Sequence, residues 1–508
     1  MVDEAHNLPE AVADAHSAVL TGPALTAASS SLDAYMARYK SRLAAGNARH
    51  LATLLAVAKA LHKAVAAPPP APASGDAAPG ERVLRLNQFL LSSGIDHINL
   101  FKLARYCKER CASSLCDLLW LSCFCPSHTW LGTCSKVLLK VGGFGDARMA
   151  EAAAAAPTGE EAADPGAPGS PYPTSATAAL QALLSFVVAL TAPEADGRVL
   201  MWPAQTQGGA SNRPHPHGRL KFVLLSPANR FAPVVGAARA VILAGGTLGP
   251  PVVLAASLCP GLGPGQLHSH SCGHIVPADH LLAVALARGP SGAALDFTYA
   301  GRSQPAAMDE LGRVLLNICR CAPHGCVAFF PSFEYVDACC ARWASTGAWD
   351  TLGEAKPVFR EPRTSGSVDA LLDRYGTAAC TGKGALLLCV VGGKLSEGIN
   401  FSDRLGRCVV MVGLPYAPPS DAELAERMAW LDAATPEQGG GPGSGRAYYE
   451  ALCMRAVNQS IGRAIRHAKD YAAIVLVDTR WTKPVAEGGV AGKLPTWMAG
   501  SLVTVRPG

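Results

Sequence analysis

No phosphate-binding loop of the G-x-x-x-x-G-K-[ST] type occurs in these 508 residues. Gly382-Lys383 comes nearest, but Thr377 stands where the first glycine belongs and Gly384 where Ser or Thr belongs. The chain alone therefore lacks the sequence of the backbone cradle that wraps a nucleotide's phosphates. No uninterrupted apolar run reaches the ~18 residues of a membrane-spanning helix, so no membrane partner is expected. No secretory leader precedes the 17 cysteines, and reduced thiols are expected. Paired C-x-x-C knuckles are missing too. Cys107, Cys111, Cys116, Cys123, Cys125 and Cys134 crowd together without zinc spacing, and His268, His270, Cys272 and His274 read as structural. A net charge of +5 permits an anionic partner without demanding one. The length exceeds one ordinary core, so roughly two to four units are expected.

What is present is concentrated in two places. Asn458 to Arg466 follows a run of helix formers (447–457), and a helix continued through it sets Gln459, Arg463 and Arg466 at i, i+4 and i+7. Val457, Ile461 and Ile465 form a second stripe on the far side, suited to core packing. Such a helix buries one face and aims two guanidinium groups and an amide at something anionic. Arg suits a phosphate in transfer because its charge is permanent and its fork planar. At the other end stands Asp3-Glu4-Ala5-His6. Two adjacent carboxylates at the end of a strand suit Mg²⁺ and nucleotide: one holds the metal through its waters while the other polarises an attacking water.

Together these segments resemble the XPD-like iron–sulfur DNA helicases of superfamily 2, closest to the ChlR-type branch associated with sister-chromatid cohesion. Asp3-Glu4-Ala5-His6 resembles motif II, and Ala244-Gly245-Gly246-Thr247-Leu248 motif III. Phe329-Phe330-Pro331-Ser332-Phe333-Glu334-Tyr335 resembles motif IV. Val391-Gly392-Gly393-Lys394-Leu395-Ser396-Glu397-Gly398-Ile399-Asn400-Phe401 resembles motif V, and Gln459 to Arg466 motif VI. The order is the family's. The resemblance implies two RecA-like lobes with ATP between them and a mainly helical arch inserted in the first. It implies that Asp3 holds Mg²⁺, that Glu4 orients and deprotonates water, and that His6 couples the site to Gly245, Gly246 and Thr247. Gln459, Arg463 and Arg466 would close on the γ-phosphate, and Glu397, Gly398 and Asn400 would link nucleotide state to DNA grip. Ser332, Gly392, Gly393 and Lys394 are the implied DNA contacts. The implied partners are single-stranded and forked DNA with replication and cohesion proteins, the implied direction 5′-to-3′, and the implied site of action the nucleus.

Family members carry a phosphate loop and a four-cysteine 4Fe–4S domain upstream of motif II. Neither is in this sequence, so the ligands of the cluster are expected elsewhere. The chain thus reads as the C-terminal part of a longer protein or an incomplete gene model, with 112–135 read as an insertion or a retained intron. The alternative is a catalytically inactive fragment that serves as a protein- or DNA-binding module.

The expected organisation is an α/β chain. Residues 1–30 are the remnant of the first lobe around motif II, and 31–175 a helical arch-like insertion with 150–173 disordered. Residues 176–271 return to the first lobe, and 272–508 form the second. Apolar spacing predicts helices over 32–43 and 51–65, separated by Gly46-Asn47, and another over 83–111. Strands are predicted at 222–225 and 240–243, completing the first lobe. From 272 on, apolar runs at 327–330, 385–391, 408–412 and 474–477 alternate with helices at 308–319, 334–343, 369–375 and 422–432. That pattern predicts a parallel sheet covered on both faces, with motifs IV, V and VI at the strand ends where ligands bind.

Overall fold

The structure is a computed structural model. It describes residues 1–66, 81–108, 140–147, 175–204, 217–246, 248–249, 251–263, 265–273, 276–363, 368–395, 401–435, 440–465, 467–484 and 489–505. Two compact units result, the first formed by Met1–Leu267 with Pro419–Pro442, the second by His268–Pro418 with Gly443–Gly508. The expected disordered stretch and most of the cysteine cluster lie outside the described residues.

In the first unit, α1 (Leu8–His16) follows the Asp3-Glu4 turn. The strand β1 (Ala18–Thr21) leads into α2 (Gly22–Tyr39), whose first turn carries a proline and is capped by Thr21 Oγ1 on the Ala24 amide at 3.4 Å. The helix α3 (Ala45–Ala66) begins before Gly46-Asn47, so the turn falls at 40–44 instead. The single helix expected over 83–111 is β2 (Arg82–Arg85), α4 (Leu86–Ser93) and α5 (Leu100–Lys108). Gly94 breaks it at φ 69°, a left-handed cap that closes α4. After α6 (Ala176–Ala189), capped by Ser175, come β3 (Gly197–Trp202), β4 (Arg219–Leu224), α7 (Ala228–Ala237) and α8 (Pro251–Leu258).

The four strands form an antiparallel sheet in the order β1-β4-β3-β2. The strand expected at 222–225 is the end of β4, paired antiparallel with β1 and β3. Its alternation sends Phe222 and Leu224 to one face, under α2, α3 and α6, and Val223 and Leu225 to the other. The run 240–243 makes no strand; Leu243 forms an isolated parallel bridge with Val2.

In the second unit, β5 (Leu281–Leu286), α9 (Tyr299–Arg302), α10 (Pro305–Cys321), β6 (Gly325–Phe330), α11 (Phe333–Thr346), α12 (Ala348–Ala355), β7 (Val358–Arg360), α13 (Val368–Ala379), β8 (Ala385–Val390) and β9 (Cys408–Val412) follow in turn. Beyond β9, α14 (Ala422–Ala433) belongs to the first unit, and α15 (Ser444–Ile461), β10 (Ala472–Val477) and β11 (Leu502–Val505) return to the second. The seven strands run β11-β5-β10-β9-β6-β8-β7, every pair parallel. This is the parallel sheet covered by helices on both faces that two-faced apolar strands imply. Val327, Phe329, Val409, Met411, Ile474 and Leu476 pack toward α13 and α15, while Cys326, Ala328, Phe330, Val410 and Val475 pack toward α10, α11 and α12.

The helix α14 lies over the outer face of the first unit's sheet. Ala422 and Trp430 cover Leu200, Val223 and Leu225. Glu426 meets Arg198 at 3.1 Å, Glu423 pairs with Lys221, and Arg427 and Trp430 donate to the carbonyls of Leu224 and Ala195 at 3.2 and 3.0 Å. A stretch expected within the second lobe thus supplies one wall of the other unit's core.

Candidate functional site

Backbone hydrogen bonds join the start of the chain to residues 242–244. The Val2 amide donates to Ile242 O at 2.8 Å, the Ala244 amide to Val2 O at 2.9 Å, and the Ala5 amide to Ala244 O at 2.9 Å. Asp3 and Glu4 leave this ladder into solvent. Glu4 takes φ 48°, a left-handed conformation that costs a side-chain-bearing residue about 1–3 kcal/mol. Asp3 Oδ1 accepts the Glu4 amide at 2.9 Å, which fixes the carboxylate over the turn. His6 is buried and its Nδ1 stands 3.2 Å from Glu4 Oε2. A Cβ on Gly245 would meet the Leu248 side chain at 3.1 Å and the Ala5 nitrogen at 3.5 Å, an ordinary contact distance. Gly246 is exposed, and Thr247 lies outside the described residues. Two exposed carboxylates supply the hard oxygen donors that Mg²⁺ prefers, with room for its waters.

At the other cluster the geometry differs from the expected stripe. The helix α15 stops at Ile461, and Gly462 caps it with its amide on Asn458 O at 3.0 Å. Ala464 follows in a tighter turn, its amide 3.3 Å from Ile461 O. That turn carries Ala464 and Ile465 into the core beside Val457 and Ile461. Gln459 therefore sits in the last helical turn and Arg463 in the loop beyond it, both half-buried, while Arg466 lies outside the described residues. The loop leads into the amino end of β10, so this segment is not at the carboxyl ends of the strands. The cause is direction: α15 is a crossover helix antiparallel to the strands it joins.

Residues outside the motifs hold this loop. Arg407, just before β9, donates to Asp470 Oδ1 at 2.5 Å and to Tyr471 O at 2.7 Å, with its guanidinium 3.9 Å from the centre of the Tyr471 ring. Both ends of the pair are buried. His467 Nε2 meets Asp403 Oδ1 at 3.1 Å, and the Asp470 amide donates to His467 O at 2.9 Å. Asp403, His467 and Asp470 bring three donor atoms within 4.8 Å of one another, but Arg407 already supplies the positive charge a cation would bring.

The segments after β6 and β8 do lie at carboxyl ends. Ser332 caps α11, its Oγ accepting the Tyr335 amide at 3.2 Å, so one lone pair is already engaged. Gly392 turns the chain at φ 72°, Lys394 is exposed, and Glu397, Gly398 and Asn400 lie outside the described residues. The loop is shaped by Glu361, a buried carboxylate that accepts the amides of Val390 at 2.8 Å and Leu395 at 3.0 Å. A Cβ on Gly393 would come 2.5 Å from that carboxylate. Sequence reading missed Glu361, Arg407 and Asp470, none of which stands in a motif; Arg407, one residue before β9, and Asp470, two residues before β10, carried the only local signal. Of the clustered cysteines, Cys107 alone is described, buried in the helical core, and no four-thiol set forms among the described residues.

A family model described as the helicase C-terminal domain matches residues 315–500. The chain is 38% identical over 517 residues to the ATP-dependent DNA helicase DDX11 of Danio rerio, covering 99% of this chain and 56% of that protein. It is 40% identical over 527 residues to a putative ATP-dependent DNA helicase DDX11-like protein 8 of Homo sapiens, with 99% and 54% covered. To the ATP-dependent DNA helicase chl1 of Aspergillus niger it is 34% identical over 520 residues, with 99% and 53% covered. The chain thus spans about half the length of these relatives. Among solved structures it is similar to Xpd4 of S. tokodaii, at 15% identity and a TM-score of 0.48 over 99% of this chain and 75% of that one.

Proposed function

We propose, from the premise that this chain belongs by sequence to the ChlR-type branch of the XPD-like superfamily 2 helicases, that it forms the greater part of an ATP-driven DNA motor. The observation that carries the reading is the ladder joining Val2 to Ala244, which sets Asp3, Glu4 and His6 beside Gly245 and Gly246 across some 240 residues of sequence. Asp3 would hold Mg²⁺ through its waters, the ion neutralising phosphate charge. Glu4 would take the proton of the attacking water, and its contact with His6 would tie that event to the Gly245 strand. Gln459, Arg463 and Arg466 would stabilise charge on the transferring phosphoryl group. Thr247, Glu397, Gly398 and Asn400 would relay nucleotide state to the strand grip. Ser332, Gly392, Gly393 and Lys394 would contact the backbone of single-stranded DNA without reading sequence.

Travel 5′-to-3′, action on forked DNA in the nucleus, and partners in replication or cohesion complete the proposal, as does a 4Fe–4S cluster held outside these residues. The test uses a protein that joins this chain to a phosphate-binding loop. Arg466→Ala should lower ATPase kcat by at least about 10²-fold, the scale of arginine-finger effects, and leave nucleotide-free single-strand affinity near normal. Strongly weakened DNA binding with normal turnover would move this arginine to the nucleic-acid surface. For the 508-residue chain alone we expect negligible ATPase; hydrolysis stimulated by DNA would overturn that expectation.

A further inference from the structure

Tyr299 keeps 85% of its surface in solvent, an unusual position for an aromatic ring that could pack. The loop beneath it is built tightly. Asp296 Oδ1 accepts the Thr298 amide at 3.0 Å, and Thr298 Oγ1 accepts the Gly301 amide at 3.2 Å. A Cβ on Gly301 would lie 2.5 Å from Asp296 O, so only glycine lets the turn close this far. Arg302 holds the ring from beside: its guanidinium carbon is 5.2 Å from the Tyr299 centroid and 5.8 Å from that of Tyr335. Tyr335 is buried against Phe297 and Phe330, with centroids 6.4 and 6.1 Å away. The cation is thus anchored on core aromatics with Tyr299 outside it.

The same loop borders a cavity of about 580 Å³ at the carboxyl ends of β5, β9 and β10. Four cations line it, Arg446, Arg480, Lys483 and Lys493. Glu450 is shared by Arg446 and Lys493, and Asp478 holds Arg480 in a fork of 2.8 and 2.7 Å. Four cations against Glu450, Asp478 and Asp296 leave a net positive cavity, in which Lys483 has no ion pair among the described residues.

We propose that Tyr299 is a stacking platform for one base of a single-stranded nucleic acid, whose backbone passes into the cavity lined by Lys483. An exposed ring presents a π-face to any base, and adjacent cations meet the phosphates, so the pairing tolerates every sequence. The inference rests on the reading that this chain grips single-stranded DNA.

The test measures binding of a fluorescein-labelled oligo-dT to the 508-residue chain by anisotropy, across a series of salt concentrations. Tyr299→Ala should weaken binding at least about fivefold, the lower range for loss of one base–aromatic stack, and leave the slope against log salt unchanged. Tyr299→Phe should restore the affinity. Lys483→Ala should instead reduce the slope by about 0.7, one phosphate contact on a single strand. Equal binding by wild type and Tyr299→Ala overturns the proposal alone, and is the result expected if the platform serves a peptide. No binding by the wild-type chain would overturn the grip reading as well.

Discussion

Glu361 shapes a candidate DNA-contact loop without touching what the loop would bind. Its buried carboxylate replaces water for two amides, and Gly393 leaves the space in which it sits. Gly393→Ala should therefore destabilise the second unit by about 1–3 kcal/mol, measured by urea unfolding, because either the turn or the carboxylate must move. The thiols make a second residue-scale prediction. Burial pushes Cys339 and Cys453 up to about 12 and Cys340 up to about 11. Cys272, Cys321 and Cys380 are exposed. Iodoacetamide at pH 8 should modify those three in the native chain and reach Cys339 and Cys453 only after denaturation, read by peptide mass spectrometry. Modification of Cys453 in the native state would mean that the α15 face opens. Asp3, Glu4, Gln459 and Arg463 stood out in the sequence as candidates because their chemistry is local to a motif. Glu361, Arg407 and Asp470 were not, because each acts through a partner at least 29 residues away.

At the scale of elements, sequence served where burial is two-sided and failed where it is one-sided. Strands β6, β8, β9 and β10 are continuous apolar runs, and such runs mark a parallel sheet under helices on both faces. The four strands of the antiparallel sheet are four to six residues long and set among helices, so β2 was absorbed into a predicted helix. Only pairing with β3 fixes Arg82–Arg85 as strand. The end of α15 was misread because periodicity says nothing of where a turn tightens; Val457, Ile461 and Ile465 all reach the core, but through a break in the helix. What holds that break is the Arg407–Asp470 pair. Asp470→Ala leaves a buried guanidinium without its carboxylate, and should cost about 3–5 kcal/mol. Arg407→Met with Asp470→Leu should cost much less, since the pair then leaves together. Equal losses in urea titrations of the two variants would assign the cost to packing and not to charge.

Across the whole molecule, the chain crosses between its two units at 267–268, 418–419 and 442–443. Tyr449 Oη donates to Ala417 O at 2.6 Å, and Tyr449 stands six residues, about 9 Å of helix, beyond Gly443. A short Gly/Ser linker therefore suffices to bridge the excised stretch 419–442. Residues 268–508 so shortened should unfold cooperatively in urea as one unit, whereas 1–267 alone should bind a hydrophobic dye, because α14 no longer covers Trp202, Val223 and Leu225. A dye-silent 1–267 would mean that another segment closes that face.

The crossing also imposes an order in time. During synthesis Leu225 leaves the ribosome 205 residues before Trp430, and at about 5–20 residues per second the interval lasts roughly 10–40 s. Throughout it the sheet of the first unit carries a bare apolar face while the second unit's strands are emerging beside it. The last piece of the earlier unit is delivered from inside the later one. A nascent-chain chaperone, or slow docking of the helical stretch, would then decide yield in the cell more than the stability of the finished protein does.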